Sequence, residues 1–137
     1  MVAHVLDVEN LLVCFGKTTV LRGLSFGVEE GTSLAVIGPN GSGKTTCLKA
    51  AAGLIRPSAG QVLIGEPPRP ESDPEARRIL SFLPQRVLFP ESLTGREVVE
   101  FYRALRGLEP ARTEEVLQFA SLNGAGDRAS GTYSGGM

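Results

Sequence analysis

From His4 to Phe15 apolar and polar residues alternate in places with the two-residue period of a half-buried strand, until Gly16 interrupts them. The pattern predicts strands over residues 5–8 and 11–15. Two more short apolar runs, residues 24–28 and 33–37, are separated by Glu29, Glu30 and Gly31. The second differs in kind, because Leu34, Ala35, Val36 and Ile37 are consecutive apolar residues, as in a strand buried on both faces of a parallel sheet. The Lys-, Leu- and Ala-rich run "KTTCLKAAAGLI" then predicts a helix with Gly53 at its C-terminal stop.

"GQVLIG" reads as a further short strand. "SDPEARR" reads as a helix start, with Asp73 as cap and Pro74 at the first helical position. "ILSFLPQ" returns to strand before Pro84. From Thr94 the period changes: Thr94 and Glu97 fit a capping box, and Val98, Phe101, Tyr102 and Leu105 recur at helical spacing up to Gly107. Another helix is expected from about Ala111 to Leu122, ending at Asn123-Gly124. The order is therefore an α/β start followed by a helical insert.

Composition refines this picture only modestly. A length of 137 residues with 42% hydrophobic and 21% charged residues lies in the ordinary globular range. Fourteen basic against fifteen acidic side chains give a formal charge of -1, which offers no basic footprint for nucleic acid or an anionic membrane. Any bound anion must be held locally. No apolar run approaches the roughly 18 residues of a membrane span, and Asp7 and Glu9 stand where a signal peptide would carry Lys or Arg, so a cytosolic chain is expected. Cys14 and Cys47 form neither a disulfide framework nor a zinc motif and are expected to be small buried hydrophobes.

The chemistry lies in "GPNGSGKTT", which fits G-x-x-x-x-G-K-[ST]: Gly38, Pro39, Asn40, Gly41, Ser42, Gly43, Lys44, Thr45 and Thr46. Glycines let successive backbone N–H groups curl toward phosphate oxygens, and the helix that follows adds its positive end. Lys44 would reach the β- and γ-phosphates. The Thr45 hydroxyl would complete part of a Mg²⁺ shell, and Thr46 would donate to the α-phosphate.

With further motifs added, the sequence resembles the ATP-binding subunits of ABC transporters over essentially its whole length. Phe15-Gly16, 29 residues before Lys44 at Phe15, resembles the aromatic loop that stacks on adenine, where Tyr is more usual. Gln85 resembles the Q-loop glutamine that approaches Mg²⁺. "YSGGM" resembles the signature Leu-Ser-Gly-Gly-Gln, with Tyr133 for Leu and Met137 for Gln. The resemblance assigns Ser134, Gly135 and Gly136 to the γ-phosphate of an ATP on the facing subunit.

It implies an α/β fold of the P-loop NTPase, ABC type: an N-terminal antiparallel β subdomain, a partial RecA-like core and an α-helical subdomain. The boundaries expected are 1–92 for the first two and 93–137 for the helical part with its signature. It also implies ATP and Mg²⁺ as cofactors, a second such subunit and transmembrane permease subunits as partners, and a place on the inner face of the plasma membrane. Nucleic acid is not among the partners. "RVLFPESLTGREVVEFYRALRG" looks most like single-cassette exporters, including the ABC-2 branch that serves copper-site maturation.

Several family elements have no counterpart: the metal-linked Asp and catalytic Glu at the end of an apolar strand, and the late switch His. His4, the one histidine, is expected to be an edge residue. The sequence is thus read as the N-terminal part of a transport ATPase, inactive in hydrolysis by itself. A short nucleotide-binding or interaction protein without hydrolysis stays open as the alternative.

Overall fold

The computed structural model describes residues 4–85, 87, 89–122 and 124–133. The chain divides into two compact units, Met1–Phe82 and Leu83–Met137. Strands β1 (His4–Phe15), β2 (Thr18–Glu29), β3 (Ala59–Ile64) and β4 (Arg69–Pro70) build one antiparallel sheet in the first unit, in the order β2-β1-β3-β4. Helices α1 (Lys44–Ala51) and α2 (Pro74–Ile79) belong to the same unit.

The two strands expected over 5–15 are one strand with a bulge in it. Val8 and Leu11 are both buried although their separation has the wrong parity for a regular strand, and the β1–β2 register shifts between them. The added residue is Asn10, at φ 49°, whose N–H donates to Ser25 Oγ at 2.8 Å. Gly60 of β3 lies against this bulge, where a Cβ would run into the carbonyl oxygens of Glu9 and Asn10. The bulge keeps Val8, Leu11 and Val13 on one face, and with Leu21, Val62 and Ile64 they form the core. Each fully buried aliphatic side chain contributes roughly 1.5–3 kcal/mol there. Cys47, Ala50 and Ala76 bring α1 and α2 onto this core with small side chains.

Two expected strands are not formed. Residues 33–37 and 80–83 are irregular, with Ile37 90% exposed and Leu83 83% exposed. A strand of consecutive apolar residues is stabilised by parallel neighbours on both sides. Among the described residues no strand pairs with either run. Cys47 is buried and its thiol pKa is pushed up by that burial, whereas Cys14 is only half-buried, contrary to expectation. Asp7 Oδ1 accepts a hydrogen bond from His4 Nδ1 at 2.6 Å, and the His4 ring lies over Gly27 at the sheet edge.

In the second unit α3 (Gly95–Leu105) and α4 (Arg112–Phe119) pack through Leu117, Leu122 and Ala125, with Val99 and Tyr133 alongside. The capping box is present: Thr94 Oγ1 accepts from Glu97 N at 3.1 Å, and Glu97 Oε2 accepts from Thr94 N at 2.7 Å. Arg96 joins the unit's pieces, pairing with Glu114 of α4 and with Asp127 at 2.6 Å. Helix α4 is shorter than expected and gives way to Ser121 at φ 56°, while Asn123 lies outside the described residues. The stripe Phe101, Tyr102 and Leu105 is helical as expected but exposed, because α3 turns Gly95 and Val99 inward instead.

Candidate nucleotide site

The strongest motif sits on the first unit, between β2 and α1. Gly41 and Gly43 take φ +83° and +93°, and Ser42 N donates to Pro39 O at 3.3 Å, closing the turn. At Gly43 the requirement is double. Left-handed backbone disfavours a side chain, and a Cβ would meet Leu21 Cδ2 at 2.9 Å and Val20 Cγ1 at 3.1 Å. A Cβ on Gly38 would meet Ser42 Oγ at 2.8 Å. The loop thus presses its backbone against β2 and folds back on itself.

Gly43 is also the N-cap of α1, and no side chain caps the helix. The first backbone bond of the helix runs from Cys47 N to Gly43 O at 2.8 Å. Helix N-termini leave N–H donors without intrahelical partners and carry partial positive charge, a pairing suited to anions. No acidic residue stands in the first turn to compete. The Lys44 ammonium donates to Gly38 O and Pro39 O, each at 2.7 Å, so it lies across the mouth of the loop. Thr45 is exposed and Thr46 half-buried.

Beside the loop is a cleft of about 540 Å³, walled by β2 from Val20 to Leu24 and by Val36, Gly38 and Lys44. Arg22 and Lys44 are among its lining residues, and among the described residues no carboxylate is. Phe15, at the β1–β2 turn of the same unit, is 52% exposed and does not enter the core. Gln85 belongs to the second unit and is exposed in a bend, not at a strand end as the sequence suggested.

The described part of the signature is Tyr133; Ser134, Gly135, Gly136 and Met137 lie outside the described residues. Tyr133 donates its hydroxyl to Ala125 O at 2.7 Å and packs on the Leu117 cluster. The chain leading to it is stitched to the start of α3 by Ser130 N to Leu93 O at 2.7 Å and Gly131 N to Glu91 O at 3.1 Å. These contacts, and the bridging Arg96, were missed by sequence reasoning. A bond between backbone groups leaves no signal in side-chain chemistry, and the partners of Arg96 lie 18 and 31 residues away along the chain.

Fold and loop together define a P-loop nucleotide-binding protein, an α/β domain whose glycine turn opens onto a helix N-terminus. Its membership can be stated more closely. The sequence profile of the ABC transporter family matches residues 21–137, and the chain belongs to that family. The linearmycin resistance ATP-binding protein LnrL of Bacillus subtilis (strain 168) is 30% identical over 136 residues, covering 96% of this chain and 44% of the relative. The Nod factor export ATP-binding protein I of Burkholderia lata (strain ATCC 17760 / DSM 23089 / LMG 22485 / NCIMB 9086 / R18194 / 383) is 35% identical, covering 96% and 45%.

A solved ATP-binding subunit of an ABC transporter superposes with a TM-score of 0.83 at 27% identity, covering 95% of this chain and 56% of that one. The chain spans less than half the length of these curated relatives. Among the described residues no helix is long and apolar enough to cross a membrane.

Proposed function

We propose that this chain is the nucleotide-holding part of an ABC transporter ATP-binding subunit, with ATP seated on residues 38–46. One observation carries the reading: the glycine turn leaves the N-terminus of α1 without a side-chain cap, next to a cleft lined by Lys44 and, among the described residues, by no carboxylate. The absence of a Cβ at Gly38, Gly41 and Gly43 fits a phosphate chain lying close against backbone N–H groups.

In this reading Lys44 releases the carbonyls of Gly38 and Pro39 and turns its ammonium to the β- and γ-phosphates, exchanging neutral acceptors for charged ones. The backbone N–H groups at the start of α1 hold the phosphate oxygens, and Thr46 donates to the α-phosphate. Phe15 offers its exposed ring as a stacking face for adenine. Mg²⁺, when bound, supplies charge neutralisation between phosphate oxygens. Thr45 is the ligand the loop provides for it, and Gln85 carries the same role through the resemblance.

Ser134, Gly135 and Gly136 are assigned to the nucleotide of a second subunit. Permease subunits would hold the pair at the inner face of the membrane and receive the work of ATP binding and hydrolysis.

Fluorescence titration of the purified protein with a labelled ATP analogue tests this. Saturable binding that competes with ATP and falls at least tenfold in Lys44→Ala, with the far-UV circular dichroism spectrum retained, is the expected result. Equal binding by wild type and Lys44→Ala would remove the basis for the reading.

A further inference from the structure

We propose that Tyr133 is the positioning residue for the signature turn, seated in a socket that the missing side chain of Gly95 leaves open. The inference rests on the nucleotide reading given above, in which Ser134, Gly135 and Gly136 serve the ATP of a second subunit. Tyr133 immediately precedes Ser134, and consecutive Cα atoms lie about 3.8 Å apart, so whatever fixes Tyr133 fixes where that turn starts.

Tyr133 is held by its main chain and its side chain together. Its N–H donates to Ser130 O at 3.0 Å and its hydroxyl to Ala125 O at 2.7 Å, while the ring packs on the Leu117 cluster. The acceptor is itself anchored, because Gly126 O, next to Ala125, accepts from Arg96 N of α3 at 2.8 Å. The hydroxyl thus ends beside the first turn of α3. There a Cβ on Gly95 would stand 2.4 Å from the Tyr133 oxygen and 3.3 Å from its Cζ.

Gly95 has no backbone need to be glycine. Its φ lies outside the left-handed region, and alanine is favoured over glycine in a helix. What excludes a side chain there is the tyrosine hydroxyl. Leucine, the residue more usual at the position of Tyr133 in the signature, has no hydroxyl to fill that space or to bond Ala125 O, so the tyrosine and the glycine make a matched pair. A packing role alone would be met by phenylalanine; a positioning role needs the hydroxyl.

The test follows ATP-dependent self-association of the purified protein by sedimentation velocity in wild type, Tyr133→Phe, Gly95→Ala and the double variant, beside ATP affinity at dilutions where the protein is monomeric. Self-association that weakens roughly fivefold in each single variant, with no further loss in the double variant and with ATP affinity unchanged, is the expected result. Undiminished association in Tyr133→Phe, or losses that add in the double variant, would overturn the positioning role. A parallel fall in monomer ATP affinity would overturn it too, since the glycine loop belongs to the other unit. ATP binding by wild type without self-association would overturn this inference and leave the glycine-loop reading standing; no ATP binding would overturn both. Should Gly95→Ala lose its helical circular dichroism signal, Tyr133→Phe alone decides.

Discussion

Gly43 lies directly against Leu21, so close that a methyl group on residue 43 would come within 2.9 Å of Leu21 Cδ2. Leu21 is buried in the sheet core and cannot yield without moving Val13, its partner in β1. With φ at +93° as well, Gly43→Ala combines backbone strain with overpacking. It is expected to lower stability by about 2 kcal/mol and to weaken ATP binding, both read from urea titration and ligand competition. A variant as stable as wild type would mean that the turn is free to lift from β2.

At the start of α3 the prediction concerns pH. The backbone N–H of Thr94, and then its hydroxyl, hold the Glu97 carboxylate below its ordinary pKa of 4.5. A depressed folded pKa means that the ionised form is favoured by folding. Its contribution is therefore complete above the unfolded value and is lost as pH falls through the lower folded one. Glu97→Gln keeps a capping side chain that does not titrate, so its stability relative to wild type should improve between about pH 6 and pH 3. Urea midpoints at both pH values check this; parallel curves would contradict it.

Tyr133→Phe removes a hydroxyl that bonds Ala125 O at 2.7 Å and keeps the ring in the Leu117 cluster. The expected loss is about 1 kcal/mol, since the carbonyl regains water only in part. Tyr133→Ala should cost about 3 kcal/mol, because the ring is also lost from the cluster. Hydrogen exchange at the amides of residues 125–131 should rise in both. Unaltered exchange would show that the hydroxyl does not hold this segment.

The 137 residues contain no Asp-Glu pair at the end of an apolar run. Phosphoryl transfer to water depends on positioned charge and on a group that orients the water. The purified chain is accordingly expected to bind ATP without steady release of phosphate. Release above background that disappears in Lys44→Ala would count against this.

What the sequence made legible was local chemistry. Asp73 accepts from Glu75 N at 2.7 Å with Pro74 opening α2, and the Thr94–Glu97 box opens α3, because a cap is settled within four residues. The glycine loop was legible for the same reason. Leu34–Ile37 was not, since strand pairing depends on distant partners that periodicity does not contain. The merging of two expected strands into β1 was hidden because the bulge at Asn10 mimics a break in the alternation. The exposed side of α3 shows the same limit: spacing predicts that Phe101, Tyr102 and Leu105 share a face, but not which neighbour that face meets.

The bulge in β1 has a consequence for how this domain tolerates length change. Removing the codon for Asn10 would leave Val8, Leu11 and Val13 in regular alternation, all still on the core side, and would free Gly60 from its tight approach. Removing the codon for Leu12 would instead send Val13 to the opposite side of the sheet. Insertions and deletions in this strand are therefore position-selective, and Asn10 is the residue through which a lineage can shorten β1 by one without rewriting the core.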